Sequence, residues 1–554
     1  MIGSVTLAAI VFDVPVLLPL ALGVPLLLLL ASAFPGLRRR LPGLFALAPV
    51  PALAAALLAG AEPDLVLGNA FFSLTFGLDA PGAMLLGVAA VLWIFAGAYA
   101  ARWLRERPDR DDFIVCWLMT LTGSVGVFLA ADLIGFYFLL AVLSVGASGL
   151  VLQGEGPDAF RASALYLGLA LLAEAFLLAG LLLLAQATPD GSLLIADAVA
   201  ALPGSPWRDL TLLLLLVGLG MKAGLLPLHF WMPIAYGAAP IPAAAVMSGA
   251  VVKASIIALV RFLPFDAALP SFGLPLAALG LLGALYGVAI GITQRQPKLI
   301  LAYSSVSQMG FLAAVIGMGL AAGDPGTALA AAFYAAHHLL VKGALFLAVG
   351  VVMLTGRRHL WPMLLPAAVI ALGLGGLPLT GGALAKYAAK DLMGSGLAAT
   401  VAVVSSIATT LLMVHFLRRL AADTAVDPGA RAPSVLVVSW LAMALASVAL
   451  PWALCLLLPL GALPEALSPA ALWAALWPVL IGAAIAVGLD SLGRALPQIP
   501  AGDLGVALGR LGGWVAAAGR GFETIDTFAR RWAVASIALL VVSLLFGYAL
   551  MAQG

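Results

Sequence analysis

The feature that most limits this chain is the repetition of apolar runs about 20 residues long, each ended by charges, prolines or a polar turn. Sixteen runs can be cut, near 14–33, 42–60, 83–101, 114–130, 132–152, 163–186, 209–232, 239–262, 270–292, 299–320, 327–353, 363–388, 396–417, 434–460, 470–489 and 532–551. At about 1.5 Å per residue, a helix of that length crosses a hydrocarbon layer ~30 Å thick. Lipid offers the backbone no hydrogen bonds, so each run must satisfy its own donors and acceptors and reads as a helix. Only 9% of the 554 residues are charged, against about 25% in soluble domains. The expected fold is an all-α polytopic membrane protein with about 14–16 transmembrane helices.

Basic residues should mark cytoplasmic loops. Those after odd-numbered runs hold Arg38, Arg39, Arg40, Arg102, Arg105, Arg107, Arg110, Arg161, Arg295, Lys298, Arg357, Arg358, Arg418, Arg419 and Arg431. The segment after the fifteenth run adds Arg494, Arg510, Arg520, Arg530 and Arg531. Loops after even-numbered runs hold little more than Arg208, Arg261 and Lys390, beside acidic Glu62, Asp64, Asp79 and Glu465. This alternation places odd loops in the cytoplasm and both termini outside. The first run has no basic segment before it and reads as a retained span. Residues 490–531 form the one long non-spanning stretch, read equally well as an amphipathic helix on the membrane surface or as a plain linker.

Cys116 and Cys455 lie far apart in apolar runs, without CxxC or metal-ligand spacing, so neither a metal centre nor a disulfide framework is expected. No phosphate-cradling glycine motif stands between a strand and a helix. No cofactor, metal, catalytic constellation or nucleic-acid partner is therefore expected, and any enzymatic chemistry would belong to another subunit.

Once loop residues are set aside, Lys222, Lys253, Lys342 and Lys386 remain inside apolar runs, with Glu174 and His338. Each charge at mid-depth costs about 2.5–3.5 kcal/mol on insertion scales. One such lysine could be a structural ion pair. Four at similar depth in separate helices read better as a path for protons or ions. Burial disfavours the charged amine, which suits these lysines to gain and lose protons near neutral pH. His338 and Lys342 are i,i+4 neighbours on one helix face.

Two runs are broken. The first reads Lys222-Ala-Gly-Leu-Leu-Pro227-Leu-His229-Phe-Trp231-Met-Pro233, the second Gly376-Leu-Pro378-Leu-Thr-Gly381-Gly382-Ala-Leu-Ala-Lys386. Proline removes a backbone donor and frees carbonyls that need a partner, here close to a buried lysine. The broken runs are seventh and twelfth, hence oppositely directed, as in an inverted repeat.

The stretch from Lys222 to Arg261 resembles the core signature of the antiporter-like membrane subunits found in respiratory complex I, Mrp-type sodium/proton antiporters and membrane-bound hydrogenases. So, in order, do the stretches Lys298 to Gly310, His338 to Lys342 and Gly376 to Lys386, and the likeness covers about residues 115–420. It implies two inverted five-helix repeats, at 113–262 and 263–417, after a three-helix segment at 1–112 and before C-terminal helices at 418–554. It also implies an ion-translocation axis of Lys222, Lys253, His338, Lys342 and Lys386, with Pro227, Pro378, Gly381 and Gly382 at the helix breaks and His229, Lys298 and Ser304 in support. The family glutamate that pairs with the first lysine falls on Ala141 here, and Tyr236 and Gln296 are milder departures. Glu174 lies near mid-depth of the next run and is expected to take that glutamate's place within reach of Lys222.

The leading expectation is a proton-translocating, or sodium/proton-exchanging, subunit of a multi-subunit complex in the bacterial cytoplasmic (inner) membrane. The complex could be an ion-translocating oxidoreductase. The alternatives are the membrane half of an inorganic-carbon uptake system with a soluble zinc partner, and a structural anchor that conducts nothing. Cysteine labelling of intact cells tests the topology: position 64 should react from outside and position 107 should not, and the reverse pattern overturns it.

Overall fold

The computed structural model describes residues 16–58, 64–69, 72–107, 111–189, 191–458, 463–491 and 498–502. Among them, eleven helices are long and apolar enough to span a membrane: Ala80–Leu104, Asp111–Leu129, Leu133–Leu152, Asp158–Ala185, Ile241–Phe262, Pro270–Gly291, Pro297–Ala322, Gly326–Met353, Leu397–Ala422, Ser434–Leu457 and Pro469–Leu489. Two more apolar runs are interrupted, as Arg208–Ala223 with Trp231–Ala238 and as Trp361–Gly375 with Gly381–Ala388. The protein is an all-α polytopic membrane protein.

The first two runs depart from expectation. Leu17–Ala31 is a helix of 15 residues. The run at 42–60 is a short turn of helix, Leu41–Leu44, followed by Val50–Leu57. Pro42, Pro49 and Pro51 explain this, since each lacks the donor a continuous helix needs. The run at 532–551 and nearly all of 490–531 lie outside the described residues. A small antiparallel hairpin, Leu65–Asn69 with Phe72–Phe76, was not expected from the apolar pattern.

Gly326–Met353 is the centre of the bundle, with 94% of its apolar window buried. A helix that is apolar on every side is one surrounded by other helices. Pro270–Gly291 and Pro297–Ala322 pack against each other at backbone contact. A Cβ on Gly280 would stand 2.5 Å from the Gly310 carbonyl oxygen, and one on Gly310 would stand 2.6 Å from that of Gly280. Lipid gives helices no hydrophobic reason to associate, so such close crossings supply the packing.

One face is tied together by two polar side chains. Asp132 caps its own helix by accepting from Gly135 N at 2.7 Å, and also accepts from Thr75 N of the hairpin at 2.7 Å. Arg261 donates to Asp79 at 2.6 and 3.1 Å and to the carbonyls of Phe128 and Ala130, both at 2.9 Å. A cation there satisfies the open end of Asp111–Leu129 and its dipole. Burial alone would raise the Asp79 carboxyl, but the Arg261 charge and the hydrogen bonds hold it below its usual value. Its stabilising contribution is therefore present above about pH 4 and lost as pH falls below that. Arg261→Ala should lower stability by about 1–3 kcal/mol, read as a drop in the thermal unfolding midpoint, and the gap to wild type should narrow below about pH 4.

Candidate functional site

The first buried cation stands at a helix break. Arg208–Ala223 ends at Gly224, whose φ of 71° is left-handed, and Lys222 sits in its last turn. Trp231 bridges the break by donating its indole N–H to the Met221 carbonyl at 3.0 Å. Lys222 Nζ donates to Glu174 Oε1 at 2.7 Å and to Ser144 Oγ at 2.7 Å. The two side chains are only 10% and 5% exposed, so this is a buried ion pair joining the helix ending at Ala223 to Asp158–Ala185. Ser144 comes from the helix that carries Ala141, one turn further on. Its hydroxyl accepts from Lys222 and donates to the Leu140 carbonyl at 2.9 Å.

A cavity of about 30 Å³ adjoins Lys222, with Tyr166, Val252 and Ser255 in its wall, and is large enough for a water. Its wall includes Val252 and Ala254, the neighbours in sequence of the second buried amine, Lys253. Ile241–Phe262 contains a π-helical turn at Met247–Val251, which alters the hydrogen-bond ladder there. Lys253 Nζ donates to the Ser248 carbonyl at 3.0 Å and lies 2.6 Å from His338 Nδ1. Either partner donates in that second contact, according to which holds the proton. Lys342, one turn beyond His338, donates to the Leu301 carbonyl at 2.8 Å. His338 is thus bonded to Lys253, with no direct bond to Lys342 among the described residues. Lys253, His338 and Lys342 are all 0% exposed.

The last cation stands at the second break. Trp361–Gly375 stops at Gly376, with φ 104°. Lys386 Nζ donates to the freed Gly375 carbonyl at 2.7 Å and to Ser406 Oγ at 2.7 Å. Pro378 lies in the turn between the half-helices, and Gly381 and Gly382 open the second of them. A Cβ on Gly382 would run into the Gly373 carbonyl, so the half-helices can pass only because no side chain is there. Leu379 takes a left-handed φ of 62°, a conformation costing about 1–2 kcal/mol outside glycine.

The residues expected in support are Lys298, His229 and Ser304. Lys298 donates to the Ala239 carbonyl at 2.7 Å, closing the end of Trp231–Ala238. His229 is fully buried, its ring edge-on to Tyr286 with centroids 5.0 Å apart. Ser304 is buried, and its hydroxyl has no hydrogen-bond partner among the described residues.

His337 was missed. Both of its ring nitrogens are buried without a hydrogen-bond partner among the described residues. The ring lies against the second break: a Cβ on Gly381 would stand 2.7 Å from Nδ1, and one on Gly382 2.9 Å from Nε2. The signal was available, because consecutive helical residues point to different faces. When His338 turns to Lys253, its neighbour must face elsewhere. Tyr334 and Gln308 were also missed; Tyr334 donates to Gln308 Oε1 at 2.7 Å, and Gln308 Nε2 donates to Thr409 at 3.3 Å.

A polytopic helical bundle with amines buried at two broken helices defines a class of membrane protein, and comparison with known proteins narrows it. A model of the family described as NADH:quinone oxidoreductase/Mrp antiporter, TM, matches residues 130–413, and the chain belongs to that family. It is similar to NADH-quinone oxidoreductase subunit N of Desulforudis audaxviator (strain MP104C), with 34% identity over 379 residues, 64% of this chain and 74% of that protein. It is also similar to one of the Na(+)/H(+) antiporter subunits of Alkalihalophilus pseudofirmus, with 28% identity over 346 residues, 58% of this chain and 68% of that protein. The Mrp complex structure from Dietzia sp. DQ12-45-1b shares the fold, with a TM-score of 0.76 at 22% identity, covering 97% of this chain and 63% of that one.

Removing one member of a buried pair leaves an uncompensated charge. Glu174→Ala should therefore destabilise the protein by about 3–5 kcal/mol. Adding Lys222→Met should recover most of that loss, and a double-mutant cycle in thermal unfolding measures the coupling.

Proposed function

We propose that this chain translocates protons through a multi-subunit membrane complex, passing them along buried amines and imidazoles from Lys222 to Lys386. The family places it among antiporter-like subunits. The observation that carries the reading is the buried Glu174–Lys222 pair, 2.7 Å long and held between separate helices. Such a pair has two low-energy states. With the amine protonated the carboxylate holds it; when the proton moves toward Lys253, the pair loses its attraction and the carboxylate needs another partner.

Lys253 and His338, at 2.6 Å, offer a place where one proton is shared, and Lys342 follows one turn along the same helix. His337, on the same helix, lies against the second break, and its role in this proposal is to relay protons between the central group and Lys386. Each amine donates to a backbone carbonyl or a serine hydroxyl, oxygens that hold a proton without fixing it as an additional carboxylate would. The role proposed for Glu174 is that of the acid absent at Ala141, carried on the next helix.

Inverted membrane vesicles containing the assembled complex test this, with proton movement followed by a pH-sensitive dye. Glu174→Gln, Lys222→Met and Lys386→Met should each slow proton movement about tenfold or more while the complex still assembles. The double change Ala141→Glu with Glu174→Gln should restore part of the rate. Normal transport in Glu174→Gln would refute the role of the pair, whereas loss of assembly in all three variants would favour the structural anchor.

A further inference from the structure

The two broken helices present their lysines to unequal surroundings. Lys222 has a carboxylate at 2.7 Å, while Lys386 is held by the Gly375 carbonyl and Ser406, with no carboxylate among the described residues bonded to it. The space beside them differs in the opposite sense. The cavity at Lys222 measures about 30 Å³, and that at Lys386 about 310 Å³. The second is within the range of small-molecule sites, which are mainly apolar with a few placed polar groups.

Its wall follows that pattern. Ala402 and Val403 of Leu397–Ala422 and Ala474 and Pro478 of Pro469–Leu489 form apolar sides, while Lys386 and Lys390 supply two amines. Val403 is 37% exposed and lies on Leu397–Ala422, a helix long and apolar enough to span a membrane, so this wall reaches the surface of the described bundle. A buried amine with no carboxylate bonded to it suits an anionic head, and the small alanine side chains of the wall leave room for an acyl chain.

We infer that this cavity binds a single-chain amphiphile with a carboxylate head, a free fatty acid, whose head takes at Lys386 the place that Glu174 takes at Lys222. The acid enters neutral from the bilayer. Where the Lys386 amine is unprotonated it takes the acid's proton, and the resulting carboxylate and ammonium remain paired, with no other reactant needed. Binding does not depend on the proposed translocation, so the two readings can fail separately.

Native mass spectrometry of the purified complex tests the inference, with oleate, oleyl alcohol and dioleoylphosphatidylglycerol as probes. Oleate should be retained at one per copy of this chain and oleyl alcohol should not. Ala402→Phe, which fills the cavity, should abolish retention, and Ala474→Phe serves the same end from the outer helix if the first variant does not fold. Lys386→Gln should weaken oleate about tenfold or more, the loss of one charge-assisted contact. Absent oleate, equal retention of the alcohol, displacement of oleate by the phospholipid, or binding unaffected by both cavity-filling variants would each overturn the site.

Discussion

An ammonium group inside hydrocarbon needs oxygens, and where those oxygens come from governs the arrangement of this bundle. A helix in lipid normally consumes its carbonyls in its own ladder. Spare oxygens appear where the ladder is interrupted. Lys386 takes the carbonyl left at the end of Trp361–Gly375, and Lys253 takes one from a π-helical turn. Lys222 lies at the other break, where serine and glutamate supply its oxygens. The prolines and glycines that break the helices and the lysines beside them thus form one device. Glycine at 376 permits the left-handed turn, and that turn exposes the carbonyl the lysine holds.

Much of this was legible in the chain. Apolar runs with charges at their ends define spans because lipid tolerates little else, and lysines inside those runs cannot be explained as loop residues. Glu174 stood out on the same ground. What the pattern could not supply was shape. Residues 42–60 have the hydropathy of a span, yet their prolines divide them into short helical pieces. The hairpin at 65–76 escaped notice because its strands are short and continuous with loop sequence. His337 was passed over beside its neighbour: periodicity turns it away from the face of His338, and the packed bundle sets it against the second break. The π-turn at 247–251 has no sequence signature, although it sets the carbonyl that Lys253 uses.

Family membership and local geometry answer different questions. The family shows what kind of subunit this is, whereas the residues show how this chain holds its first buried lysine. With Ala141 where the resemblance leads one to expect a glutamate, Lys222 would stand desolvated beside an apolar wall. Instead Ser144, on the same helix, still contacts Lys222, and the negative charge comes from Asp158–Ala185. The polar contact and the charge, which one residue could supply together, are divided here between two helices.

That division changes what the ion pair is mechanically attached to. Asp158–Ala185 has only 39% of its apolar window buried, so much of its surface faces outward while its inner face carries Glu174. The helix bearing Ala141 is more enclosed, at 61%. An acid on the inner helix would be braced by this chain on most sides, whereas one on Asp158–Ala185 is braced by it on fewer. Whatever covers that outward surface therefore bears on the same rod that positions the carboxylate, so the surroundings of the helix are part of the mounting of the ion pair.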